Sequence, residues 1–196
     1  MADQLVTPQE LASFLQLDYA SLTPAAQATL LLLVQMATGK VQDAAGQLLL
    51  QGTATVTIDV DMCDDDQWLP LPQMPVRSVA TVLIDGVADS SWLLRKQQLW
   101  RLLGWNVNPN APTQVTPTFT YGYPVGAQAL QLARDMTFSL AGLGYGPGST
   151  GVTTESLDDY TVTYAQADAR MVVSDGMRDR LRNAYGISAY VTSSRR

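Results

Sequence analysis

Two stretches of this sequence carry residue types that could do chemistry: a run of glycines and a run of aspartates. Gly146-Pro147-Gly148-Ser149-Thr150-Gly151 matches G-x-G-x-x-G letter for letter. A dinucleotide fingerprint must follow a strand and open a helix, because the helix N-terminus faces the pyrophosphate. Here a helical pattern precedes the glycines, a strand-like pattern follows them, and no lysine completes a Walker loop. The expectation is a flexible connection over Gly142–Gly151. The aspartates are Asp59, Asp61, Asp64, Asp65 and Asp66. Clustered carboxylates can hold Ca²⁺ or Mg²⁺, but an EF-hand needs a glycine at its sharp turn and a closing glutamate, and neither is present. A solvated acidic loop between strands is the plainer reading.

Other chemistries are narrowed by what the chain lacks. There is no histidine, which removes Ser-His and Cys-His nucleophile pairs and the H-E-x-x-H zinc site. Cys63 is the single cysteine. It can form no intrachain disulfide, and the acids around it raise a thiol pKa rather than activate it. No cofactor or metal is implied. The four tryptophans, Trp68, Trp92, Trp100 and Trp105, fall in one middle region with only Arg95, Lys96 and Arg101 near them. Stacking of sugars or single-stranded bases stays open, beside packing in a core or subunit interface.

These residues need elements to position them. Thr7-Pro8-Gln9-Glu10 has the form of a capping box with proline at the first helical position, and Leu11, Phe14 and Leu15 follow on one face. Thr23-Pro24 repeats the signal. The next helix, about 24–45, places Leu30, Leu33, Val34 and Ala37 at helical spacing, with Leu31 and Leu32 widening the stripe toward a second neighbour. Gly46 is its stop. The period then changes to two. Thr53–Val60 alternates as a half-buried strand, Val76–Asp85 is a second strand ending at an Asp85-Gly86 turn, and Trp92–Arg95 with Leu99–Leu103 forms a hairpin. Val115–Tyr121 is a further strand, and Pro117 within it predicts an edge position. Helix returns over about 126–142 with Leu130, Ala133, Met136, Leu140 and Leu143 aligned. A strand with Tyr160, Val162 and Tyr164 on one face and a short helix over about 175–185 complete the order. The fold class is therefore α+β. A helical core of two N-terminal helices (5–46) and a later long helix surrounds a β-rich insertion (52–121). A helix-strand-helix stretch (124–186) and a C-terminal tail (187–196) follow, all in one domain.

Charge is low and unevenly placed. Charged residues are 15% of the 196, against 46% hydrophobic, and the net charge is −6. Soluble domains usually draw on about 25% charged residues, so part of the surface is expected to be covered by a partner. The segment 170–196 holds six arginines against Asp175 and Asp179, while the preceding 169 residues hold ten more carboxylates than cations. The overall balance argues against a protein built to grip nucleic acid phosphates. Arg178, Arg180 and Arg182 stand two apart and spread around a helix, with Met177, Leu181 and Ala184 as an apolar stripe. A solvated terminal helix and a helix docking on an acidic partner both remain open. MADQLVTPQE lacks the basic start and apolar run of a signal peptide, and Ala28–Ala37 is too short to span a bilayer, so synthesis in the cytoplasm with no membrane partner is the expectation.

Several stretches, in order, carry a resemblance: Thr7–Leu11 and the long Ala/Leu helix; Leu69-Pro70-Leu71-Pro72 running into Pro75-Val76-Arg77-Ser78-Val79, in the form "LP-x-x-PV-x-SV"; Phe119–Pro124, close to "V-x-Y-x-x-G" before a helix; and Glu155–Val162, close to "ESIGDYSV". Together they resemble the head–tail connector (head-completion adaptor) family of tailed bacteriophages. The likeness spans roughly 5–186. It departs at Asp158, where the family usually carries glycine, and is loose over 87–118. What it implies is a structural protein of the virion neck with no catalytic site. Such proteins form a ring, typically dodecameric, under the portal at the capsid vertex. The ring extends the DNA channel and receives a stopper or tail protein. Viral DNA passes through without sequence-specific binding. The C-terminal segment usually contacts the portal protein, a role that here falls to Arg178, Arg180, Leu181, Arg182, Tyr185, Tyr190, Arg195 and Arg196. Asp64, Asp65 and Asp66 are candidate channel-facing acids, since an acidic wall repels DNA phosphates. The alternatives are a tail-completion or stopper protein, a tryptophan-rich binding module, and a metal-dependent hydrolase at Asp61 and Asp64.

Overall fold

The computed structural model describes residues 4–61, 67–107, 111–145, 154–157, 160–163 and 171–186. It is α+β and divides into two compact units, a helical one from Met1–Gln47 with Val125–Arg196 and a β unit from Leu48–Pro124. The β insertion is thus a unit of its own, a few residues wider at each end than the alternating pattern suggests.

The helical unit starts where its caps require. In α1 (Pro8–Phe14) the Thr7 hydroxyl accepts the Glu10 N–H, and the Glu10 carboxylate accepts the Thr7 N–H at 2.8 Å. α2 (Pro24–Ala45) is capped by Thr23 and stopped by Gly46 at φ 74°, a left-handed position that glycine takes without strain. α2 packs against α1, α3 (Gln131–Gly144) and α4 (Asp175–Tyr185). Leu30, Leu33, Val34, Ala37 and Val41 are buried. Leu31 and Leu32 are exposed, so the stripe is narrower than the sequence suggests.

The glycines give a second correction. α3 does not end at 142; it runs through Gly142 to Gly144, and Gly144 is buried. A Cβ there would lie 2.8 Å from both Leu33 Cδ2 and Met171 Sδ. Glycine is needed at this point for close packing, not for hinge freedom. Gly146–Gly151 lies outside the described residues. Beyond it, β9 (Thr154–Leu157) pairs antiparallel with β10 (Tyr160–Thr163), so the single late strand is a hairpin. Tyr164 lies outside the described residues.

The β unit holds two antiparallel sheets. One runs β1 (Gly52–Thr55), β8 (Thr113–Tyr121), β4 (Val76–Ile84), β5 (Val87–Asp89), with β2 (Ile58–Val60) also on β8. The other runs β3 (Trp68–Pro70), β7 (Gln98–Arg101), β6 (Trp92–Arg95). Both feed one core that includes Leu69, Leu99, Val82, Val115 and Phe119. On the opposite face of the larger sheet threonines pair across strands, Thr55 with Thr118 at 2.9 Å and Thr57 with Thr116 at 3.1 Å. β8 is a central strand, not the edge that Pro117 suggested. The Pro117 carbonyl accepts from Val56 N–H, so its missing donor faces the same side, where β1 has ended and β2 has not begun. The proline sits opposite the one gap that tolerates it. The expected strand 53–60 is split at that gap.

Candidate docking surface

α4 shows how the basic C-terminal segment is held. The Ser174 hydroxyl accepts the Met177 N–H at 3.3 Å, closing the first turn. Asp175 in that turn and Arg182 in the last one both suit the helix dipole. Leu181 is fully buried and Tyr185 nearly so. The Tyr185 hydroxyl donates to Ala129 O at 2.6 Å and accepts from Ala133 N–H at 3.3 Å. The Gln47 side-chain amide donates to the Tyr185 carbonyl. Two segments distant in sequence, at Gln47 and at Ala129–Ala133, therefore grip the end of α4.

Leu181 and Tyr185 do not belong to the presented surface. They are spent on anchoring, because an apolar side chain and a hydroxyl with two internal partners gain more inside than at a wet rim. What α4 presents is Arg178, Arg180 and Arg182, all exposed. Arg178 and Arg182 lie one turn apart on a shared side. None of the three enters an ion pair among the described residues. Arg178 also borders a shallow groove of about 250 Å³ with Lys40, Asp43 and the Met171–Val173 segment. Ala184, expected on the apolar stripe, is exposed. Tyr190, Arg195, Arg196, Asp64, Asp65 and Asp66 lie outside the described residues.

Two arginines elsewhere, Arg101 and Arg134, are committed to carboxylates. Arg134 reaches Glu10 at 2.7 Å, tying α3 to α1. Partial burial alone would raise the Glu10 carboxyl, but the Thr7 N–H and the Arg134 guanidinium outweigh it and hold it below the ordinary glutamate range. Asp89 is likewise held low: burial opposes, and the Ser91 hydroxyl and N–H with Arg101 prevail. The tryptophans are engaged as well. Trp105 is buried and its indole N–H donates to Gln67 O at 3.0 Å; Trp92 donates to Asp89 O at 2.9 Å and Trp100 to Gln67 Oε1 at 3.2 Å. This favours packing over a ligand platform. Among the described residues no three Cys, Asp or Glu side chains gather as metal ligands, and no helix is long and apolar enough to cross a membrane.

No protein-family model matches the chain, and no curated protein matches it either.

Proposed function

We propose that this chain is a structural connector of a tailed-phage neck, working by assembly rather than catalysis. Several copies would form a ring on the portal protein at the capsid vertex, extend the DNA channel and receive a stopper or tail protein. The observation that carries the reading is the division of labour on α4. One side is locked inward by Leu181 and Tyr185, while Arg178, Arg180 and Arg182 face outward without partners among the described residues. A merely solvated helix has no need of three such anchoring bonds. Exposed arginines on a fixed frame suit carboxylates on a partner surface, since each guanidinium is always charged and can bind in a fork. The ordered resemblance to connector motifs supplies the partner.

The test is co-sedimentation with the portal protein of the same virion. The triple variant Arg178→Glu, Arg180→Glu, Arg182→Glu should keep its far-ultraviolet circular dichroism and lose portal binding by at least about tenfold, with wild-type binding weakening as salt rises. Undiminished binding by the folded variant would remove α4 as the docking element.

A further inference from the structure

We propose that the β unit joins copies of this chain head to tail, its cationic end seating on the carboxylate end of the β unit in the next copy. The inference rests on the assembly reading for the premise that copies meet, and it names the surfaces by which they do.

Arg101 and Asp89 neutralise each other at 3.0 Å. Among the described residues of the unit, the charges left over are Arg77, Arg95 and Lys96 against Asp59, Asp61 and Asp85. They are sorted by position. The Gln97 side chain, in the turn between β6 and β7, accepts the Val76 N–H. That bond sets Arg95 and Lys96 beside the start of β4, where Arg77 stands. At the far end of β4, Asp85 accepts the Gln114 N–H at 2.8 Å, and Asp59 is the register partner of Gln114 across β8. Asp61 follows directly on β2. The length of β4 separates the two ends, about 25 Å at roughly 3.3 Å per residue.

That span exceeds the screening length of about 8–10 Å at physiological salt. The two ends therefore cannot satisfy each other within one copy, and each keeps its own like-charge repulsion. Arg77 lies over the Tyr123 ring at 5.8 Å and Arg95 over Trp100 at 5.5 Å. The rings hold these cations in place without neutralising them. Asp59, Asp61 and Asp85 are exposed, with no cationic partner among the described residues. Further β units in the same sense supply both: the cationic end meets the carboxylate end of one neighbour, and the carboxylate end meets the cationic end of another. Such a contact joins two different patches and can repeat, closing into a ring when the rotation allows.

The test uses the full chain and reads self-association by analytical ultracentrifugation at low salt. Arg95→Glu/Lys96→Glu makes both ends acidic, and Asp59→Lys/Asp61→Lys makes both ends basic. Each variant, checked for wild-type circular dichroism, should self-associate at least tenfold more weakly than wild type. An equimolar mixture of the two should associate again, because each supplies the end the other lacks. Carbodiimide coupling of wild type should yield intermolecular links from Lys96 to Asp59, Asp61 or Asp85. A wild type that stays monomeric at low salt, reversals without effect, or a mixture no better than its components would each overturn the inference. Portal binding separates this from the connector reading. Restored mixing without portal binding defeats only the connector, and portal-bound rings indifferent to the reversals defeat only the β contact.

Discussion

The helical unit and the β unit dispose of charge in different ways. In the helical unit the free arginines gather on one helix, and that helix is fixed by Leu181, Tyr185 and Gln47. In the β unit the free charges divide by sign between the two ends of β4. One sign on one fixed face suits a different molecule of the opposite sign. Two signs at two ends suit a copy of the same molecule. The proposed function asks the chain to hold both a platform and its own neighbours, and the two units keep those arrangements apart in sequence.

The comparison can be broken by asking whether the units are separate in energy as well as in charge. All four tryptophans lie in the β unit and α1–α4 all lie in the helical unit. Fluorescence therefore reports the first and ellipticity at 222 nm the second. Phe119 is fully buried in the β core, and Phe119→Ala should cost about 3–5 kcal/mol, moving the fluorescence transition in urea more than the 222 nm transition. Leu181→Ala should cost about 2–5 kcal/mol and do the reverse. Transitions that stay coincident in both variants would show that the two units unfold as one.

Smaller effects sharpen the account of the helical unit. Gly144→Ala pushes a methyl against Leu33 and Met171. It should destabilise by about 1–3 kcal/mol through overpacking, whereas a hinge glycine replaced by alanine would gain stability; thermal melting separates the two. Tyr185→Phe removes the hydroxyl that serves Ala129 and Ala133, a loss of about 1 kcal/mol. The smallest effect is on acid stability. Glu10 is held below its ordinary range when folded, so its contribution is full above the unfolded pKa of about 4.3 and fades as pH falls through the lower folded value. Glu10→Gln should therefore flatten the fall in melting temperature on acidification, and only slightly, because the carboxylate is partly exposed and solvent screens the pair.

The parts of this fold that were legible in the sequence follow from local chemistry. Thr7 and Glu10, Thr23, Gly46 and the Asp85-Gly86 turn each satisfy backbone groups within a few residues, so type and spacing suffice. The parts that were not legible depend on distant partners. Pro117 read as an edge residue because the gap opposite it lies some sixty residues earlier in the chain. Gly142 and Gly144 read as a hinge because nothing nearby reveals Phe14 packing at the first and Leu33 and Met171 at the second. Tyr185 read as a surface residue because its partners, Gln47, Ala129 and Ala133, lie far away. The arginines of α4 were legible as a candidate site, since charge needs no partner to be noticed. The sorting of Asp59, Asp61 and Asp85 from Arg77, Arg95 and Lys96 was not, because β8 and the Gln97 contact bring each set together.

The measurement that bears most directly on the central claim is light scattering of the purified chain with its portal protein, run in parallel with the Arg178→Glu, Arg180→Glu, Arg182→Glu variant. The account predicts a large, defined complex for wild type and its loss in a variant that remains folded. A wild-type chain that ignores the portal, or a variant that binds it as well as wild type, would contradict it.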